Sequence, residues 1–143
     1  MNAHLSSPSK NRNSLGDISV LYVSALLRAA EAEGASSAEL ASRFQLDHQT
    51  LTSPEARISI PRFMRLGHAA INETGNPALG LRMGALSRPV DAGIAGLAGE
   101  TAGTAGAALA TLIRYALLTS RNSRGVPTVQ PETRQAKFYS IRP

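Results

Sequence analysis

Hydrophobic positions along this chain change their spacing several times, and each change marks an element. Residues 1–17 show no periodicity: Ser and Asn dominate, with Pro8 and Gly16. That composition predicts a disordered tail. From Ile18 the apolar residues Ile18, Leu21, Tyr22, Ala25, Leu26 and Ala29 recur at helical spacing, and Gly34 stands where such a helix would stop. Ser36 and Glu39 form an S-x-x-E capping box for a short second helix running to about Phe44. Residues 46–57 read as a turn-rich connector with room for one helical turn over 47–51.

The spacing then predicts a helix over 60–74. Phe63, Leu66, Gly67, Ala70, Ile71 and Thr74 fall on one face, while Arg62, Arg65, Asn72 and Glu73 lie elsewhere. Ser59 is positioned to cap it, Pro61 is tolerated in its first turn, and Gly75 ends it. Asn76 should cap a further helix that begins at Pro77. Over 89–106, Gly93, Gly96, Gly99, Gly103 and Gly106 recur every three or four residues. On a helix they would share one face, weak alone but able to let another backbone approach closely. No phosphate-cradling glycine motif is present. Thr104 should cap a last helix whose stripe is Ala105, Ala108, Leu109, Leu112, Ile113, Ala116 and Leu117. Beyond Ser120 the pattern turns to strand: 126–129, a turn region at Pro131 and Glu132, then 137–141. In the second run Phe138, Ser140 and Arg142 face one way while Tyr139 and Ile141 face the other. These elements predict one α+β, predominantly α domain over 18–143, helical first, with the start of a β-sheet at its C-terminal end.

Composition narrows the chemistry. A chain of 143 residues that is 43% hydrophobic can bury a proper core. With aromatics at 4%, that core must be built from Leu, Ile, Val and Ala. The absence of cysteine excludes a disulfide scaffold, a thiolate metal site and a Cys nucleophile. No stretch is long and apolar enough to span a bilayer, and no secretory signal is legible, so a cytoplasmic location is expected. Much of the net charge of +5 lies in Arg121, Arg124, Arg134, Lys137 and Arg142, set against Glu132. A phosphate-binding patch is the sharper reading. A solvated loop and edge strand, with cations discouraging edge pairing, is the plainer one and is favoured here.

No catalytic constellation appears. His4, His48 and His68 have no metal-ligand spacing, and Glu31 and Glu33 point to different helix faces. No nucleophile elbow surrounds any serine. The chain is therefore not expected to be an enzyme, to bind a metal or to need a cofactor. Residues 36–57 do imitate a helix-turn-helix, and a small stand-alone DNA-binding protein using them is the alternative reading. Its second helix, however, would stop at Thr52-Ser53-Pro54, offering only His48, Gln49 and Thr50, with Arg57 after the break.

The stretch from 44 to 85, FQLDHQTLTSPEARISIPRFMRLGHAAINETGNPALGLRMGA, orders these signals in a particular way. With the upstream "LLRAAEAEG" from Leu26 to Gly34 and the run from Gly93 to Ser120, it resembles the N-terminal, arabinose-binding-like effector-sensing domain of AraC-type transcription regulators. The resemblance covers residues 19–142. It implies a domain that senses a small-molecule effector and dimerises, with self-association or association with a homologous regulator expected. In that family a C-terminal pair of helix-turn-helix motifs binds DNA. This sequence has no room for that half, and its sensor domain is short at the C-terminal end, so a truncated regulator without sequence-specific DNA binding or membrane attachment is expected. The ligand-binding residues are unknown from sequence. Arg82, Arg114 and Tyr115 adjoin apolar stripes and are candidate liners, although a surface position is the plainer reading for each.

Overall fold

Nearly every face of the segment Val20–Ala32 is apolar, so as a helix it must be enclosed by other elements. In the computed structural model, which describes residues 15–122, 125–130 and 135–140, that is its position. This helix, α1, buries Val20, Val23, Ala25, Leu26, Leu27, Ala29 and Ala30. Ser19 caps its start by accepting from the Leu21 N–H at 3.3 Å. At its end Gly34 adopts a positive φ of 90°, and the Ala35 N–H returns to the Ala30 carbonyl at 3.0 Å. A Cβ-bearing residue would be strained there.

The chain then winds around α1. Helix α2 (Ser37–Arg43) carries the expected Ser36 cap, the Ser36 hydroxyl accepting from the Glu39 N–H at 3.2 Å. It contributes Leu40 and Ala41 to the core. Helix α3 (His48–Thr52) is the single turn expected over 47–51, capped by Asp47. Helix α4 (Ile60–Thr74) runs between the expected limits and ends on left-handed Gly75, φ 64°. Leu66 and Ala70 are fully buried, while Phe63 and Ile71 are partly buried and pack on the core. Ser59 occupies the cap position, but its hydroxyl makes no capping bond. Helix α5 (Leu79–Leu86) starts two residues later than Pro77 predicts. The Asn76 side chain accepts from the Ala78 N–H at 2.8 Å, so it organises a turn before the helix.

One expectation, at the N-terminal end, needs correction. Residues Gly16–Ser19 form a strand, β1, so Ile18 precedes the helix. The remainder of the expected tail, 1–14, lies outside the described residues. Strand β1 pairs antiparallel on one side with β2 (Arg57–Ser59) and on the other with β3 (Ser120–Asn122), in the order β2-β1-β3. This three-stranded sheet, which the hydrophobic pattern does not show, gathers three remote segments. Strands β4 (Gly125–Gln130) and β5 (Gln135–Ser140) form a separate antiparallel pair near the positions read from sequence. The Pro131-Glu132 turn region and Ile141 lie outside the described residues.

The glycine-rich stretch also differs. A 3-10 turn, Pro89–Ala92, precedes α6 (Gly93–Glu100), and the helix breaks before α7 (Ala105–Arg114). The five glycines thus do not share one face. Gly96 is buried where an added Cβ would come 1.6 Å from the Pro89 carbonyl oxygen, and Gly99 packs on Leu112 of α7. Gly103 and Gly106 face open space. Thr104 caps α7 as expected, accepting from the Ala107 N–H at 3.2 Å. Yet no residue of α7 is buried, and its stripe breaks at Tyr115 before the short α8 (Ala116–Thr119). The 3-10 turn is pinned to α1 by Asp91, whose carboxylate accepts from Arg28 at 2.5 Å and from the Arg88 N–H at 2.8 Å. Together these contacts yield a predominantly α, α+β fold.

Leu66 has no exposed surface, so Leu66→Ala should cost on the order of 2–5 kcal/mol in denaturant unfolding. A change below about 0.5 kcal/mol is what a surface position gives, and would contradict its burial.

Gly96→Leu should destabilise the protein. Its gain in helix propensity is about 1 kcal/mol, whereas the new side chain must displace the Pro89 backbone. A raised melting temperature would show that α6 does not pack on that turn.

Candidate functional site

Side chains on a strand alternate faces, and directly opposed residues on paired strands share one. The register sets Ser19 opposite Arg57, and Asp17 opposite both Ser59 and Arg121. One face of the small sheet is thus polar: Asp17, Ser19, Arg57, Ser59 and Arg121. On the other face Ile58 is buried and Ile18 packs against the core. The sheet is amphipathic, and its polar side forms the wall of a cavity of about 350 Å³.

Ser19, Arg57 and Arg121 line that wall, with Thr119 at the end of α8. Leu21, Ile94 and Leu118 supply an apolar side, and Pro54 and Glu55 lie in the turn before β2. Gly93 brings the start of α6 close to α1: an added Cβ would sit 3.4 Å from a Leu21 methyl, and the residue's φ is 59°. Arg57 fastens the wall. Its Nε donates to Asp17, and its Nη1 donates to the Leu118 carbonyl at 2.8 Å, joining β2 to β1 and α8. The Thr119 hydroxyl lies 3.3 Å from the Tyr22 hydroxyl and 3.1 Å from the Ala116 carbonyl, joining α8 to α1. The cavity is therefore bounded by elements far apart in the chain, from β1 to β3. It combines cationic, hydroxyl and apolar groups, the composition suited to a small organic molecule.

Two other depressions are shallower. Arg43, Arg65, His68 and Glu73 border an open groove between α2 and α4, in which Arg43 and Glu73 form an ion pair at 2.5 Å. Arg114 and Tyr115 border another between α6 and α7, together with Ala98, Ala107 and Thr111. Of the three candidate liners from sequence, Arg114 and Tyr115 are thus brought together, away from the amphipathic cavity. Arg82 is spent elsewhere, paired with Glu33 at 3.1 Å.

The residues weighed for chemistry are scattered. His48 opens α3 and is exposed, as is His68, while His4 lies outside the described residues. Among the described residues no group of three or more potential metal ligands converges. Glu31 accepts from the Ser37 hydroxyl at 3.2 Å, so Glu31 and Glu33 act as local ties. The helix-turn-helix resemblance ends at the geometry of α3. Five residues give little more than one turn, and Arg57 is occupied in the sheet. The Thr50 N–H and hydroxyl hold the Asp47 carboxyl below the usual aspartate range, adding an anion at the end that would have to face DNA. Of the basic C-terminal residues, Arg124, Arg134 and Arg142 lie outside the described residues.

The cavity residues Ser19, Glu55, Arg57, Thr119 and Arg121 carry no sequence motif. The usable signal was the alternation of polar and apolar residues in Arg57-Ile58-Ser59, too short to separate from a loop. No helix among the described residues is long and apolar enough to cross a membrane. A search of curated proteins finds no match. A family model described as the arabinose-binding domain of AraC transcription regulator, N-term, matches residues 34–143, which span α2 to β5 and most of the cavity wall. The chain belongs to this family of N-terminal domains of AraC transcription regulators.

Proposed function

We propose that this chain is the effector-sensing part of an AraC-type regulator and that its amphipathic cavity holds a small-molecule effector. The observation that carries the reading is the make-up of the cavity: a polar sheet face closed by apolar residues from α1, α6 and α8. Because β1 and β3 are about a hundred residues apart, with the helices between them, occupancy would bear on all of that stretch. The role is binding and not catalysis. The Ser19 hydroxyl caps α1, and the Thr119 hydroxyl is engaged by Tyr22 and a helix carbonyl, which leaves neither arranged as an activated nucleophile. This chain acts without a cofactor, in the cytoplasm, and without sequence-specific contact to DNA.

Thermal unfolding in the presence of arabinose and a panel of small polar metabolites tests the reading. A ligand at a hundredfold excess over its Kd should add about 2.7 kcal/mol of stability. Ile94→Trp and Leu118→Trp, each filling the cavity from its apolar side, should abolish that gain. Stabilisation that survives both variants would move the effector site elsewhere.

Self-association is the second part of the proposal. Away from the cavity, Leu97, Leu109 and Tyr115 are exposed apolar residues on α6, α7 and the turn after it. Such a concentration is what an association surface presents. Light scattering over a dilution series should show a concentration-dependent oligomer, weakened by Leu109→Glu. A monomer at every concentration would overturn it.

A further inference from the structure

Charges on the polar wall do not balance. Asp17 lies directly opposite Arg121 in the sheet register, yet its carboxylate is bonded to Arg57 on the other side. The Arg121 side chain has no hydrogen bond or ion pair among the described residues. Arg57 commits its Nε, one Nη1 and one Nη2 hydrogen to Asp17 and Leu118. That leaves part of its five-donor fork unspent. The sheet face thus carries two guanidinium groups and one carboxylate, which is bonded to Arg57, and Arg121 is left without an anionic acceptor among the described residues. Glu55, the acid among the lining residues, also has no partner among the described residues. Its charge disfavours a multiply charged ligand such as a phosphate ester. Opposite lies the apolar side of Leu21, Ile94 and Leu118, and the volume of about 350 Å³ is at the small end for a ligand pocket.

We propose that the cavity recognises a small monocarboxylate with an apolar body. The carboxylate would take the unpaired Arg121 and the spare N–H groups of Arg57, a geometry that planar guanidinium forks match. The apolar body would cover Leu21, Ile94 and Leu118. This deepens the effector-binding reading and rests on it.

Isothermal titration of the full chain with phenylacetate, benzoate and hexanoate, each against its own neutral amide, tests the proposal. At least one acid should bind about tenfold or more tightly than its amide, the scale of one charge-assisted hydrogen bond. Arg121→Gln should erase that ratio while leaving amide affinity in place. Arg121→Lys should retain part of it, and Arg65→Gln on α4 should leave it unchanged. Equal affinity for acid and amide, a preference that survives Arg121→Gln, or tighter binding of inorganic phosphate would each overturn the carboxylate assignment. In all three cases the effector-binding reading still stands. Absence of binding by every acid also overturns the assignment. If arabinose and the amides fail as well, the effector-binding reading falls with it.

Discussion

A helix with almost no polar face cannot remain at a surface, and the fold of this chain follows from the need to surround α1. The small side chains Ala25, Ala29 and Ala30 are what let its neighbours come close. On α4 the same economy appears at Gly67, where an added Cβ would lie 3.9 Å from Leu26. Around this helix the remaining elements need only one apolar side each, which is why α2, α4 and α5 bury a few residues apiece. With so few aromatic residues in the chain, packing of aliphatic side chains against one central rod is the available way to build a core.

Elements whose limits are set by local chemistry were legible from sequence. Ser36, Gly34 and Gly75 act through bonds and backbone angles within a few residues of themselves, so their meaning does not depend on the rest of the fold. Illegible were the features decided by distant partners. Ile18 has helical spacing with Leu21 and Tyr22, but pairing with Ile58 and Ser120 draws it into a strand. Gly103 and Gly106 keep the period of Gly93, Gly96 and Gly99, but the chain turns after Glu100 and the period loses its geometric meaning. The apolar stripe on α7 is visible in the sequence as a pattern, but nothing in a pattern says whether a surface exists to cover it. The cavity belongs to the same class. Its wall is a juxtaposition of strands, and no single segment carries it.

Arg57 shows how one residue can be misassigned from its neighbours in sequence. Following a short helix, it has the look of a cation poised for phosphate. In the fold its guanidinium is a cross-tie between β2, β1 and the end of α8, partly screened from water. A partly exposed pair of this kind contributes only modestly to stability. Its larger effect is positional, because the same group sets the spacing of the strands and fixes one wall of the cavity.

The order of the three-stranded sheet also bears on how the molecule assembles. Strand β1 meets β2 across three intervening helices, but its contact with β3 joins residues as far apart as Gly16 and Asn122. Closing so long a loop is entropically unfavourable until the intervening helices have condensed, and contacts of high sequence separation slow folding. The β1–β3 seam is therefore the last clasp to fasten and the first to release. A small molecule seated there would bind only the fastened chain, and would lengthen the life of the closed state by slowing its opening.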